Sequence, residues 1–141
     1  MHVGTSQNLK VVLVLASDPQ QITKVEGFLL KLNKRLHLNE ALFNKLLVAA
    51  TEAVNNGIIH GNRRDPSKSV TITCERNHEA LTVCVEDEGT GVDPSTIPDP
   101  LAAENLLREN GRGVFLMRSL MDSIEFLKTA AGSAVVMKRK I

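Results

Sequence analysis

The chain has 141 residues, of which 43% are hydrophobic and 23% charged, with a formal net charge of +1. We expect one domain spanning residues 1–141, with enough aliphatic side chains to fill a core. The sequence contains four Phe and no Trp or Tyr, and its only dense basic cluster is Lys138-Arg139-Lys140. Without an aromatic stacking platform or a basic stripe, direct binding of nucleic acid is not expected.

The sequence predicts neither a secreted or membrane-spanning protein nor a cysteine-based disulfide or metal-binding protein. The apolar run Val11 to Ala16 is too short for a signal peptide, and no stretch approaches the ~20 residues of a membrane span. Cys74 and Cys84 form neither a disulfide framework nor a metal-binding spacing. We therefore expect a reduced, cytoplasmic protein that does not bind membranes and uses both cysteines for packing.

The first half of the chain predicts one strand and two helices. Lys10 to Leu15 is a β-type run. Pro19 opens an amphipathic helix that ends at about Leu36, since apolar side chains recur at helical spacing. A second helix begins at Asn39-Glu40. Gly57 lies near its far end, and Gly61-Asn62 terminates it.

The second half predicts a hairpin, a long loop, a helix and two strands. Two alternating runs carry the hairpin's buried face: Val70, Ile72, Cys74, Leu81, Val83 and Val85. A Gly- and Pro-rich loop follows from Asp87 to Pro100. The last elements are a helix from Val114 to Met121 and strands at Ile124–Lys128 and Ala134–Ile141. This order, with alternation in the strands, predicts an α+β two-layer sandwich with helices on one sheet face.

Three polar side chains share one flank of the second predicted helix. At ~100° per residue, Glu52, Asn56 and His60 follow one another beside a broad apolar surface. Carboxylate and amide oxygens suit Mg²⁺, which completes its shell with phosphate and water. The flank is a candidate lining for a cleft, and the alternative is a solvated helix edge. His60 fits a contact with a helix-end carbonyl, so we assign it no catalytic role.

Asp87 continues the buried parity of the preceding strand. A carboxylate facing the core needs a partner, because an unpaired buried charge costs several kcal/mol. At the floor of a pocket, such a carboxylate can accept the exocyclic amine of adenine. Gly89 and Gly91 would let backbone approach a ligand closely. The alternative is a turn-forming aspartate that caps its own loop.

A second glycine pair, Gly111 and Gly113, precedes the third predicted helix. Open backbone N–H groups at a helix N-terminus favour phosphate, and Arg108 and Arg112 add positive charge. An ordinary helix-start turn and two surface arginines explain the same residues. The long connection from Val92 to Asn110 is of a length typical of lids.

Together these segments resemble the ATPase fold shared by gyrase, the Hsp90 chaperone, histidine kinases and the DNA-mismatch-repair ATPases. The resemblance covers about Leu9 to Lys140. It rests on an N box, Glu52-x-x-x-Asn56, and on two glycine boxes, Asp87-x-Gly89-x-Gly91 and Gly111-x-Gly113. It implies a histidine-kinase-like ATPase sandwich with a mixed, mostly antiparallel sheet.

Within that superfamily, the chain most resembles bacterial anti-sigma factors that are also serine kinases. The likeness lies in Thr51 to Asn56 with Ile58 to Gly61, and in Gly113 through Asp122. It implies an ATP-dependent serine/threonine protein kinase that sequesters a sigma factor and phosphorylates an anti-anti-sigma protein of the STAS type. It also implies a homodimer, through the more open sheet face or the N-terminal strand.

The resemblance also implies roles for the residues singled out above. Glu52 would be the general base, Asn56 would bind Mg²⁺ and Asp87 would hold adenine. The remaining expected ATP-binding residues belong to the glycine loops and the lid: Gly89, Gly91, Arg108, Gly111, Arg112 and Gly113. Ser133 stands where many superfamily members carry a Thr that supports the adenine-binding aspartate, and its hydroxyl is a substitute.

Two other functions remain open. The same pocket suits a non-catalytic module in which ATP sets the lid conformation and hence the affinity for a partner. A detached ATP-hydrolysing domain of a larger machine is the third alternative. The residues that bind ATP and those that catalyse transfer overlap almost completely, so motifs alone do not separate these functions.

Overall fold

The computed structural model describes residues 8–89 and 109–141, and within them the elements follow the predicted order β-α-α-β-β-α-β-β. The strands are β1 (Leu9–Ala16), β2 (Ser69–Arg76), β3 (Ala80–Asp87), β4 (Ser123–Lys128) and β5 (Ser133–Lys140). The helices are α1 (Thr23–Leu36), α2 (Glu40–Asn56) and α3 (Glu109–Leu120). A short 3₁₀ turn, Pro19–Ile22, precedes α1, and a π turn, Gly57–Gly61, continues α2.

The five strands form one sheet in the order β1-β2-β3-β5-β4, and each of these four pairings is antiparallel. The register places Thr73 opposite Cys84 and Asp87 opposite Ser133. The second pair puts the first residue of β5 beside the last residue of β3, at one end of these two inner strands.

The core lies between one face of the sheet and the helices. Strand residues of one parity point into it and are almost fully buried: Leu15, Ile72, Val83 and Met137. Residues at helical spacing meet them from α1 and α2, including Val25, Leu29, Ala50 and Val54. On the other sheet face Val12 is 51% exposed and Val14 is 61% exposed. The predicted α+β sandwich with helices on one face is confirmed.

Helix α2 has a defined start and an unusual end. The side chain of Asn39 accepts a hydrogen bond from the Leu42 amide at 2.8 Å, which satisfies one unpaired N–H of the first turn. After Asn56 the helix does not stop but widens into the π turn. The backbone N–H of Asn62 closes this turn by donating to the Gly57 carbonyl at 2.8 Å. Single π turns of this kind are frequent at functional sites.

Helix α3 begins earlier than the sequence predicted. We expected it to start at Val114, with Gly111 and Gly113 in a preceding turn, whereas the helix already includes both glycines. The glycine pair therefore lies in the first two turns of α3 and not in a turn ahead of it, and the Gly111 N–H still belongs to the first four N–H groups, which have no acceptor within the helix. Glycine lowers helix propensity by only ~1 kcal/mol, and packing of the buried Val114 and Met117 against the core outweighs that penalty.

The cysteines pack as expected. Cys74 is buried on the core face of β2, and burial raises the pKa of its thiol to about 12. Cys84 is partly buried on the opposite face of the sheet, and burial raises the pKa of its thiol as well. Both side chains therefore remain protonated thiols at neutral pH. None of the helices in the described part of the chain is long and apolar enough to cross a bilayer.

Candidate functional site

Two polar side chains on α2 point away from its core face without a partner. Glu52 and Asn56 are half-buried and lie one helical turn apart. Neither side chain has a hydrogen-bond or ion-pair partner among the residues that the structure describes. A half-buried carboxylate and amide are normally paired, because leaving them unsatisfied is unfavourable. Their free oxygen atoms therefore mark a place suited to a ligand.

Helix α3 passes beside Glu52 and Asn56 at Gly113. A Cβ atom placed on Gly113 would lie 3.1 Å from Oε2 of Glu52 and 3.2 Å from Nδ2 of Asn56. Both polar groups therefore converge on one point on the surface of α3, and Gly113 leaves that point empty. The second glycine box and the N box, 57 to 61 residues apart in sequence, meet here.

The π turn brings Asp87 to the end of the same edge. A Cβ atom on Gly57, the residue after Asn56, would lie 3.6 Å from Cβ of Asp87. At Gly61, a Cβ atom would lie 2.5 Å from Cγ of Asp87, closer than real contacts allow. The turn thus lies flat against the carboxylate, and only glycine permits this approach.

The segment after Asp87 folds back onto the same turn. A side chain at Gly89 would collide with the backbone of Gly61, since its Cβ would lie 2.6 Å from the Gly61 carbonyl carbon. The N box and the two glycine boxes, which are distant in sequence, therefore lie at one location. Their segments approach one another through glycine backbone, where a side chain would not fit or would be tightly packed.

Hydrogen bonds fix one oxygen of the Asp87 carboxylate. Oδ1 accepts from the Gly89 amide at 2.8 Å and from the Ser133 hydroxyl at 3.0 Å. The expected hydroxyl of Ser133 thus contacts Asp87. Burial raises the pKa of Asp87 above 3.8, and these two hydrogen bonds oppose that shift. Oδ2 accepts no hydrogen bond from the described residues and remains available to a donor such as an amino group.

The remaining expected residues are placed less fully. Gly91 and Arg108 lie outside the described residues. Gly111 lies within α3 rather than ahead of it, and Arg112 is exposed on the same helix. Their contacts with phosphate stay a prediction.

Sequence reasoning missed three residues that shape the site. Gly57, Gly61 and Asn62 read as the end of a helix, because Gly and Asn are common helix stops. In the structure Gly57 and Gly61 contact Asp87, and Asn62 is buried. Two glycines four residues apart directly after the N box were the available signal, since that spacing places both on one side of a helical turn.

The groups present fit ATP with Mg²⁺. Asn56 and Glu52 offer oxygen atoms of the kind that Mg²⁺ prefers, beside a space that a Cβ on Gly113 would fill. Asp87 offers a carboxylate oxygen that can accept an amine of the base. Asn56 and Glu52 lie at one position along this edge and Asp87 lies at another. A nucleotide needs two such positions, because its base and its phosphates are separated.

We expect Asp87→Asn to separate binding from stability. ATP affinity should fall about tenfold or more, since a hydrogen bond to a charged group contributes ~1.5–3 kcal/mol. The melting temperature at neutral pH should hold or rise. Because the pKa of Asp87 is raised, its ionisation opposes folding: its stabilising contribution is present below pH 3.8 and is lost as pH rises through the folded-state pKa. The variant's gain should therefore appear only above that pKa.

Calorimetric ATP titrations and thermal melts between about pH 4 and 8 check both parts. A variant that binds ATP like the wild type would contradict the adenine-binding role, and a marked loss of melting temperature at neutral pH would contradict the cost assigned to burial.

We expect Gly113→Ala to stabilise the protein and impair its function. Alanine raises helix stability by ~1 kcal/mol over glycine, but its methyl group would press on Glu52 and Asn56 and displace both. Gly27→Ala is the matched control, since that glycine also lies within a helix and has nothing within 4 Å of its Cβ position. Urea unfolding should show a gain for both variants, whereas only Gly113→Ala should lower Mg²⁺-ATP affinity. Equal affinities would refute the proposed convergence.

Comparison with known proteins places this geometry in a family. The histidine kinase-like ATPase domain family matches residues 15–139. An anti-sigma F factor of Clostridium perfringens (strain SM101 / Type A) is 34% identical over 96 residues, which cover 66% of this chain and 69% of that protein. An anti-sigma F factor of Lysinibacillus sphaericus is 29% identical over 119 residues, covering 82% and 79%. The serine-protein kinase RsbW of Listeria innocua is 25% identical over 138 residues, covering 94% and 87%.

The family match runs from the end of β1 to the end of β5, so it contains the N-box edge, Asp87 and Gly113. The matched domain is an ATPase domain, which implies use of ATP. The relatives carry the names of anti-sigma factors and a serine kinase, the two properties that the sequence motifs resembled. The chain belongs to the histidine kinase-like ATPase domain family and is a relative of the anti-sigma F factors.

Proposed function

We propose that this protein is an ATP- and Mg²⁺-dependent serine/threonine protein kinase that also acts as an anti-sigma factor. The observation that carries the proposal is a pair of side chains, Glu52 and Asn56, that have no partner within residues 8–89 and 109–141. They converge beside Gly113, at one end of an edge that also holds Asp87. The names of the relatives supply the biological context of this chemistry.

Each side chain has a distinct task in the proposed reaction. The free oxygen of Asp87 accepts the exocyclic amine of adenine and orients the nucleotide. The side-chain oxygen of Asn56 holds Mg²⁺, which neutralises charge on the phosphates when bound. Glu52 accepts the proton of a serine or threonine hydroxyl as that oxygen bonds to the γ-phosphorus, and the bond from this phosphorus to the β–γ bridging oxygen breaks to release ADP. Arg108 and Arg112 are the candidates for contacts with the phosphates, together with Gly89, Gly91 and Gly111.

The names of the relatives support a sigma factor as a partner of this chain. We propose that the chain binds a sigma factor and phosphorylates a small anti-anti-sigma protein of the STAS type, the substrate that the resemblance of its sequence implies. We place this complex in the cytoplasm.

A homodimer through the open sheet face completes the proposal. Val12 and Val14 on β1 are the two most exposed large hydrophobic side chains of the described residues. They neighbour Thr73 and Thr71 in the register, so valine and threonine methyl groups extend the apolar surface onto β2. A second copy packing on this face would remove that surface from water.

We expect Glu52→Gln to lower the rate of phosphotransfer about 100-fold or more, since a general base contributes ~10²–10⁴-fold. ATP affinity should change less than about threefold, because the amide keeps the size of the carboxylate. The measurement uses radiolabelled ATP, Mg²⁺ and the anti-anti-sigma protein encoded nearest to this gene, with single-turnover kinetics.

Glu26→Gln is the matched control, since Glu26 is exposed in the first turn of α1, on a different helix. It should leave the rate unchanged. Unaltered phosphotransfer by Glu52→Gln would overturn the general-base role. If wild-type protein binds ATP and its partners but transfers no phosphate, the protein is instead an ATP-gated binding module.

We expect Val12→Lys and Val14→Lys to convert a dimer into a monomer, because each places a charge in the proposed apolar interface. Val48→Lys is the control, since Val48 is 41% exposed but lies on α2 in the helical layer. Light scattering coupled to size exclusion measures the mass of each variant. A monomeric wild type at about 100 μM, or equal dissociation by Val48→Lys, would argue against this interface.

A further inference from the structure

Asn62 is a buried polar side chain that the proposed reaction does not use. It is 1% exposed, and among the described residues only Ser17 and Ser133 join it as buried polar side chains. It follows directly after the π turn and lies where three strand ends meet. A fully buried amide is unfavourable unless each of its hydrogen-bonding groups is satisfied.

The side-chain amide of Asn62 makes three hydrogen bonds within the described residues, and each goes to a residue at a strand end. Its Oδ1 accepts from the Glu88 amide at 2.8 Å, just after β3. Its Nδ2 donates to the Ser17 hydroxyl at 2.7 Å, just after β1, and to the Ser69 carbonyl at 2.9 Å, at the start of β2. The Ser17 hydroxyl passes its own hydrogen to the Lys68 carbonyl at 2.8 Å.

These partners require an asparagine in one orientation. The backbone N–H of Glu88 can only donate and the carbonyl of Ser69 can only accept, so the amide cannot be flipped. An aspartate would keep the bond from Glu88 but would turn a carboxylate oxygen toward the Ser69 carbonyl. An alanine would remove all three hydrogen bonds and leave the backbone N–H of Glu88 without this acceptor. The residue type is thus specified by three hydrogen bonds, not by packing volume.

The residues that Asn62 holds are the neighbours of Asp87. Glu88 is next to Asp87 in the chain, and its carboxylate accepts from the backbone N–H of Ser69, so this segment is tied to β2 directly and, through Asn62, also to the Ser69 carbonyl. On the other side, Gly61 precedes Asn62 and packs against the Asp87 carboxylate, and Gly89 packs on Gly61. Asn62 therefore joins the two backbone segments between which the carboxylate lies.

We propose that Asn62 is a positioning residue that sets the orientation of Asp87 for recognition of adenine. This inference rests on the proposed binding of adenine by Asp87. Without the Glu88–Asn62 bond, the backbone after Asp87 would separate from the π turn. The carboxylate would then lose its defined direction, and the pocket would no longer favour adenine, which carries an amine at C6, over guanine, which carries a carbonyl there.

The test compares nucleotide preference in Asn62→Ala, Asn62→Asp and wild-type protein. The ratio of ATP to GTP affinity, measured by calorimetry with Mg²⁺, should fall about tenfold in Asn62→Ala, because Asp87 would no longer be held toward the adenine amine. Affinity for inorganic tripolyphosphate should change less than about threefold, because the phosphate groups do not contact Asp87. Asn62→Asp keeps the acceptor for Glu88 and should retain more of the preference.

Asn77→Ala is the matched control. The Asn77 side chain also accepts from two backbone amides, those of Glu79 and Ala80, but it lies at the opposite end of β3, ~25 Å away. It should lower the melting temperature and leave the ATP-to-GTP ratio unchanged. If the ratio simply follows the melting temperature across all three variants, Asn62 is structural only and the proposal is overturned.

Hydrogen exchange separates failure of this inference from failure of the proposed function. In the wild-type protein without nucleotide, the Glu88 amide should be protected, and Asn62→Ala should raise its exchange rate by about tenfold or more while amides in the middle of β2 change little. An unprotected wild-type Glu88 amide overturns the positioning role. A protected amide in a protein that prefers no nucleotide overturns adenine recognition by Asp87 instead.

Discussion

The close approach of the Gly57–Gly61 turn to the Asp87 carboxylate is the contact on which the rest of the site depends. It brings the end of α2 against the end of β3, so Glu52, Asn56 and the Asp87 carboxylate lie along one wall of the candidate site. No side chain fits at Gly61 or Gly89, and glycine at these two positions is therefore a steric requirement. The π turn sets this distance, because it continues α2 past Asn56 without ending the helix.

The same contact has a cost in stability. Asp87 is partly removed from water, which raises its pKa, and its hydrogen bonds to Gly89 and Ser133 offset that effect only in part. Glu52 and Asn56 have no partner among the residues that the structure describes, and Gly113 weakens the helix that faces them. Each of these features is unfavourable for folding alone and becomes favourable once a ligand satisfies it, which is the usual relation between binding sites and stability.

Much of the architecture was predictable from local pattern. The alternation of Val70, Ile72 and Cys74 with Leu81, Val83 and Val85 identified the hairpin and its buried face, because a strand's side chains alternate strictly. The parity argument also placed Asp87 on that face. The predicted start of α3 was wrong because its two glycines were assigned to a turn ahead of the helix, whereas tertiary packing that no local pattern reports holds them within it.

The sequence by itself determined which chemical groups are available: a carboxylate and an amide one turn apart, an inward aspartate, and glycines in the right order. These follow from periodicities that act over a few residues. Only the tertiary structure decided that the groups meet, through backbone contacts at Gly61 and Gly89 and through the buried amide of Asn62. Such contacts join segments more than 20 residues apart. They depend on backbone shape and hydrogen-bond direction, which residue spacing does not encode.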